Sequence, residues 1–120
     1  MARKPNILFI ITDQQRADHV GFMGNGVVQT PHFDSLAASG CVFENAWVSN
    51  PVCMPNRATI LTGRMPTAHG VIFNDRSLDW HANTFVRQLR ADGYRTALLG
   101  KSHLQHGMSR NDFLLSLCIY

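Results

Sequence analysis

The chain begins with an apolar run that strongly limits the folds open to it. Residues 7–11 are Ile-Leu-Phe-Ile-Ile, and Thr12 and Asp13 follow at once. A short, unbroken apolar run rich in β-branched residues is typical of a strand covered on both faces, as in parallel sheets that lie beneath helices. Asp13 would then lie at the carboxyl end of the strand, the edge of such sheets where ligands bind.

Helix signals alternate with further apolar runs along the rest of the chain. Helices are predicted after Thr30–Pro31 up to Gly40, from Pro55 to Thr62 before Gly63, and after Asn83–Thr84 up to Gly93. Further strands are predicted at 42–48 and 95–100. This order of strand, helix, short strand, helix, helix and strand predicts an α/β layered fold.

Composition excludes several classes of protein. The 120 residues suit one small domain, and 45% hydrophobic with 16% charged residues indicates a globular chain. The net charge of +3 comes from scattered arginines, so no nucleic-acid partner is expected. Three cysteines are too few and too widely spaced for a disulfide framework. The first apolar run is too short to span a bilayer and has no cleavage site, so we expect a cytoplasmic protein without a membrane partner.

The segment from Cys53 to Arg64 carries the most chemistry. Cys53 lies at the start of a predicted helix, where free backbone N–H groups favour an anion. Arg57 lies four residues later on the same helix face and can bind two oxygens of a sulfate or phosphate at once. The plainer alternative is a buried cysteine at a helix start with a surface arginine, since free cysteine usually behaves as a small hydrophobe.

The pattern Cys53-x-Pro55-x-Arg57, followed by Leu-Thr-Gly-Arg at 61–64, resembles the signature of type I sulfatases. Their close relatives are the phosphonate monoester and phosphodiester hydrolases of the alkaline phosphatase superfamily. The resemblance implies that a formylglycine-generating enzyme oxidises Cys53 to formylglycine. One hydroxyl of the hydrated aldehyde would attack sulfur or phosphorus, and the other would expel the ester. Asn56 departs from the family's usual serine but leaves the cysteine, proline and arginine intact.

Asp13 and Gln14, which follow the first apolar run and Thr12, are similar to the family's metal loop. The resemblance implies that Asp13 and Gln14, together with residue 53 as formylglycine, bind a divalent cation. Carboxylate and carbonyl oxygens suit Ca²⁺, Mg²⁺ or Mn²⁺. Gln14 resembles the choline sulfatase and phosphonate hydrolase branches, since many sulfatases have a second aspartate there. Without the resemblance, Asp13 would more simply cap the end of a strand.

A second basic motif, Gly-Lys-Ser-His at 100–103, resembles the family's Gly-Lys-x-His. At the end of a strand, Lys101 and His103 would point to one face. The resemblance implies that Lys101 binds the sulfate and that His103 holds or accepts a proton. An ordinary basic strand end is the alternative. The fold implied is part of an alkaline-phosphatase-like layer structure, with a mostly parallel sheet flanked by helices.

Two further residues are weaker candidates for substrate binding. Asn74 lies where the phosphonate hydrolase branch has an asparagine that contacts substrate, although loop asparagines mostly stabilise turns. His69 follows the signature helix, and a local hydrogen-bonding role is the alternative to a contact with substrate.

The resemblance covers residues 1–110, which we interpret as the N-terminal part of a sulfatase catalytic domain, while residues 111–120 are an atypical apolar tail. In the family, the second half of the domain supplies another pair of metal ligands. It also supplies a further histidine and a lysine. The function expected is hydrolysis of a small-molecule sulfuric ester. Hydrolysis of phosphonate monoesters or phosphodiesters, or an inactive truncated fragment, are the alternatives.

Overall fold

The computed structural model describes residues 4–105, and its regular structure there is helical. A 3₁₀ helix spans Gly21–Met23, and the α-helices are α1 (Pro31–Ser39), α2 (Cys53–Thr62), α3 (Pro66–His69) and α4 (Phe85–Ala91). The tail predicted at 111–120 lies outside the described residues, so the boundary at 110 stays a prediction. No helix within residues 4–105 has both the length and the apolar character needed to cross a membrane.

The three helices predicted from the sequence are confirmed as α1, α2 and α4. Helix α2 begins at Cys53, two residues before the predicted start, because Pro55 still falls in the first turn, where its missing N–H breaks no helical hydrogen bond. Gly63 ends α2 in the left-handed conformation, at φ 67°, and donates its N–H to the Thr59 carbonyl. Thr84 caps α4 by accepting from the Arg87 N–H at 3.3 Å.

The predicted strands are not found in residues 4–105, so the mostly parallel sheet is not confirmed. Residues 7–11 are exposed rather than covered, from 37% for Ile7 to 75% for Leu8. A strand exists only through a ladder of hydrogen bonds to a neighbour. The Leu78 N–H does donate to the Leu104 carbonyl at 2.9 Å, but the described part of the chain does not extend this bond into a ladder.

The described residues form two compact units, one of residues 4–9 and 48–105 and the other of residues 10–47. In the first unit, the core consists of Met54 and Ala58 from α2 together with Val71 and Leu78. Met54 and Ala58 are fully buried, so the apolar face of α2 is covered along its first half. Burial of a side chain the size of methionine contributes about 1.5–3 kcal/mol.

The first unit also contains the start of the chain. The rings of Phe9 and Phe85 pack edge to face, with centroids 5.7 Å apart and planes at 77°. Aromatic pairs prefer this geometry because the positive ring edge meets the negative ring face. Residues 4–9 are therefore attached to α4 by side-chain packing and not by the strand pairing expected from the sequence.

The second unit depends on polar side chains of α1 and of the residue before it. Thr30 Oγ1 accepts from the Gly21 N–H at 2.7 Å, and Asp34 Oδ1 accepts from the Phe22 N–H at 2.9 Å. Thr30 precedes α1, as predicted, but its hydroxyl makes no capping hydrogen bond to that helix. Instead it donates to Asp34 Oδ1 at 3.0 Å. These two side chains therefore satisfy N–H groups at the start of the 3₁₀ helix.

Candidate functional site

Cys53 is the first residue of α2 and remains partly exposed, whereas Met54 and Pro55 behind it are buried. The turn before the helix is held by Asn50, whose Oδ1 accepts from the Val52 N–H at 2.8 Å. Asparagine forms such local turns readily because its side chain can bond to the backbone two residues on. The sequence therefore places the Cys53 side chain at an accessible helix start with a buried helix behind it.

Asn74 satisfies a backbone donor in the first turn of this helix. Its Oδ1 accepts from the Met54 N–H at 3.0 Å, across 20 residues of sequence. The first N–H groups of a helix have no partner within the helix, and a side-chain oxygen placed there stabilises it. This bond places Asn74 beside the residue that follows Cys53.

Arg57 connects α2 to the second basic motif. Its side chain is buried, with 9% of the residue exposed, and Nη1 donates to the Lys101 carbonyl at 2.8 Å. A buried guanidinium must be hydrogen-bonded, since its desolvation is otherwise costly. This bond brings the motifs at 53–57 and 100–103 together, although Arg57 and Lys101 are 44 residues apart in the sequence.

The segment 100–105 has an irregular backbone. Gly100 has φ 91° and His103 has φ 48°, which is uncommon for a residue with a side chain. Such a conformation costs about 1 kcal/mol or more and persists where the surroundings hold it. Here Leu104 packs against the core, and Gln105 Nε2 donates to the Leu78 carbonyl at 3.0 Å. No strand is present in residues 94–105, so the expectation that Lys101 and His103 share one face of a strand end is not confirmed.

His69 bonds to protein groups through both ring nitrogens. Nε2 lies 3.0 Å from Thr59 Oγ1, and Nδ1 accepts from the Val71 N–H at 3.1 Å. Ser49 Oγ lies 3.2 Å from the same threonine hydroxyl. Burial lowers the pKa of His69, because removal of the ring from water disfavours its charged form. The imidazole is therefore neutral at pH 7.

The residues similar to the metal loop, Asp13 and Gln14, lie in the second unit, and both are exposed. Gln14 has φ 48°, so the backbone turns sharply directly after the predicted carboxylate ligand. Within residues 4–105, no group of 3 or more His, Cys, Asp or Glu side chains is arranged to hold a metal ion. The oxygens of Asp13 and Gln14 fit a hard cation by type, and they supply only part of the roughly six to eight ligands that Ca²⁺ takes.

An ion pair follows this loop. Arg16 bonds to both carboxylate oxygens of Asp18, with Nε at 2.9 Å from Oδ1 and Nη2 at 2.6 Å from Oδ2. His19 Nδ1 lies 2.9 Å from Asp18 Oδ1. The hydrogen bonds from Arg16 and then His19 lower the pKa of the Asp18 carboxyl. Asp18 is therefore ionised and already held by its neighbours.

Sequence patterns named the site residues but missed several of the contacts that hold them. Arg57 was expected to bind an anion. Its bond to the Lys101 carbonyl could not be predicted, because no sequence pattern indicates a bond to a distant main-chain oxygen. Asn50 could have been recognised, because an asparagine side chain commonly bonds to the backbone N–H two residues on, here that of Val52 just before the helix start.

The family of this chain follows from comparison with known proteins. The family model described as "Sulfatase" matches residues 5–113. The chain belongs to the sulfatase family. This sulfatase chain is 44% identical over 101 residues to an ulvan-active sulfatase from Formosa agariphila, covering 84% of the chain. It is 39% identical over 102 residues to an arylsulfatase from Clostridium perfringens, again covering 84% of the chain.

A solved structure agrees with the fold. The crystal structure of yidJ from Bacteroides fragilis, described as a sulfatase, matches with a TM-score of 0.81 at 33% identity and covers 91% of the chain. This match supports the expected sulfatase-like fold in its coarse form, while the mostly parallel sheet is not confirmed within residues 4–105. The chain spans 20% and 21% of the length of the two curated relatives and 26% of that solved chain.

Proposed function

We propose that the chain carries the cysteine-bearing part of a sulfuric ester hydrolase site. The observation that carries the proposal is the hydrogen bond from Arg57 Nη1 to the Lys101 carbonyl. It joins the helix that begins with Cys53 to the segment that contains His103. Cys53, Lys101 and His103 belong to the same unit, which supports the proposal that they act together.

Cys53 is the proposed site of oxidation to formylglycine by a formylglycine-generating enzyme. Formylglycine at this position would supply the attacking hydroxyl and the means of releasing the ester. The partial exposure of Cys53 at the start of α2 supports this role, because an ester must reach the residue. The backbone N–H groups of the helix start also favour a bound anion, although Asn74 already occupies that of Met54.

Lys101 and His103 are proposed to act on the bound ester. Both residues are partly buried, and Nδ1 of His103 is shielded from solvent, as expected for groups that line a site. The ammonium of Lys101 would bind the sulfate oxygens, and the imidazole of His103 would hold or accept a proton. Arg57, also proposed to be catalytic, would orient this segment through the Lys101 carbonyl, and its fixed positive charge would favour an anion nearby.

A divalent cation, Ca²⁺, Mg²⁺ or Mn²⁺, is proposed to be bound by Asp13 and, through its amide oxygen, Gln14. A bound cation would supply positive charge and polarise the oxygens of an anionic group bound to it. The two residues are consecutive, exposed oxygen donors on a sharply turned backbone. Residue 53 as formylglycine, the third ligand implied by the resemblance, stays a prediction.

The proposed substrate is a small-molecule sulfate ester. The two curated relatives named above act, by their names, on ulvan and on aryl sulfates. Phosphonate monoesters or phosphodiesters are the second candidate, because Gln14 and Asn74 match that branch of the superfamily in the positions expected from the sequence. An inactive fragment is the remaining alternative, since the chain spans about a fifth of its relatives.

Ester assays test the proposal. The chain would be produced together with a formylglycine-generating enzyme and assayed with an aryl sulfate and an aryl phosphonate, with and without added Mn²⁺ or Ca²⁺. We expect faster release from the sulfate, dependent on the cation and absent in Cys53→Ala. Faster release from the phosphonate would favour the second candidate. Equal rates for the modified chain and Cys53→Ala on both esters would favour the inactive fragment.

A further inference from the structure

His69 lies where α3 ends and the chain turns back towards α2. Gly70 follows in the left-handed conformation, at φ 79°, and donates its N–H to the Pro66 carbonyl at 2.9 Å. The imidazole lies between α2 and the segment after this turn. It contacts Thr59 Oγ1 through Nε2 and the Val71 N–H through Nδ1, at 3.0 and 3.1 Å.

These two contacts determine the position of the ring proton. A backbone N–H only donates, so Nδ1 must accept and therefore carries no proton. A neutral imidazole with a bare Nδ1 carries its proton on Nε2, which then donates to Thr59 Oγ1. Both nitrogens are thus used by the protein, which favours a role in positioning over the substrate contact considered from the sequence.

The segment beginning at Val71 reaches the first turn of α2. Val71 is 1% exposed and belongs to the same buried cluster as Met54 and Ala58. Asn74, three residues further on, accepts from the Met54 N–H at 3.0 Å. His69 therefore connects the middle of α2, at Thr59, to the segment that satisfies the start of the same helix.

We propose that His69 is a positioning residue, whose Nε2-protonated ring holds residues 71–74 against the first turn of α2 and keeps Asn74 on the Met54 N–H. Its consequence for catalysis rests on the function proposed above, because Met54 directly follows Cys53. The positioning itself follows from the hydrogen bonds alone. The lowered pKa of His69, caused by burial, agrees with a neutral ring.

Two substitutions separate the contributions of the two nitrogens. In His69→Asn, the amide oxygen can take the place of Nδ1 and accept from Val71, while the contact with Thr59 is lost. In His69→Gln, the longer amide can take the place of Nε2, and the Val71 N–H loses its acceptor. The ring connects the segment to α2 only while both contacts exist, so both substitutions should loosen residues 71–74 from α2, and only His69→Asn should keep an acceptor for the Val71 N–H.

The test is NMR on the full, unmodified chain. The ¹⁵N shifts of the His69 ring should show a bare Nδ1 and a protonated Nε2. Exchange of the Met54 amide should be about 2- to 10-fold faster than in wild type in both variants, as expected for loss of one hydrogen bond, whereas exchange of the Val71 amide should be faster only in His69→Gln. Ring shifts showing a protonated Nδ1, or unchanged Met54 exchange in His69→Gln, would overturn the proposal. Hydrolysis is not needed for either measurement, so failure of the proposed function would appear separately, in the ester assays.

Discussion

Arg57 donates from Nη1 to the carbonyl oxygen of Lys101 at 2.8 Å, with its side chain buried in the first unit. The bond makes the position of the lysine backbone depend on a residue of the signature helix. A fixed positive charge is thereby placed within the motif, and its planar group also orients a neighbouring segment. This dual use explains why an arginine is better suited than a lysine at this position.

Replacement of Arg57 should therefore destabilise the first unit. Arg57→Gln leaves the Lys101 carbonyl with a shorter donor or none, and we expect a loss of about 1–3 kcal/mol in the free energy of unfolding. Chemical denaturation measures this change. Arg64→Gln is the matched control, because Arg64 is exposed at the end of the same signature. Equal stability of both variants would contradict a role for the Lys101 bond.

Asn74 should stabilise the first turn of α2, which it caps from 20 residues away in the sequence. Asn74→Ala removes the acceptor of the Met54 N–H, and we expect a loss of about 1 kcal/mol in the free energy of unfolding. Asn74→Asp should retain most of the stability, because a carboxylate oxygen also accepts and its charge is favourable near a helix N-terminus. Denaturation midpoints that fall equally in both variants would show that the amide has another role.

Gly21 should be required by the close approach of Asp34. A Cβ at position 21 would lie 2.5 Å from Asp34 Oδ2, so Gly21→Ala must displace the carboxylate that accepts from the Phe22 N–H. We expect a loss of about 1–3 kcal/mol from this overpacking. In an Asp34→Ala background the same substitution should cost much less, and a double-mutant cycle measures the difference. Additive effects would contradict the steric explanation.

His69 should make stability depend on pH in the neutral to mildly acidic range. Its folded pKa is lowered by burial, so the unfolded chain binds the proton more readily. Its stabilising contribution is therefore fully present above its ordinary pKa of about 6.5 and is lost as the pH falls through that value towards the lowered pKa of the folded state. Unfolding measured from pH 8 to pH 5 in wild type and His69→Asn, which lacks this titration, isolates the contribution. Parallel curves would contradict it.

The helices could be predicted because their signals are local. Pro31 and Gly40 bracket α1, Gly63 ends α2 in a left-handed conformation, and Thr84 caps α4 through its own side chain. Each of these signals acts over a few residues and is visible in the sequence. Tertiary packing did not override them.

The strands could not be predicted in the same way, because a strand depends on a partner that its own sequence does not specify. Residues 7–11 have the composition of a covered strand, yet Leu8 and Ile10 are 75% and 61% exposed and form no ladder in the described part of the chain. For the site, the motifs indicated Cys53 and Lys101 by residue type. The bond that joins their segments spans 44 residues and ends on a backbone carbonyl, which no motif records.

The mass of the peptide that carries residue 53 tests the proposed chemistry most directly. The chain would be produced with a formylglycine-generating enzyme, digested, and compared with Arg57→Ala, which removes one defining residue of the signature. We predict that the wild-type peptide has lost the thiol and gained an aldehyde oxygen, and that the variant peptide retains the thiol. A wild-type peptide that still carries an unmodified Cys53 would contradict the proposal.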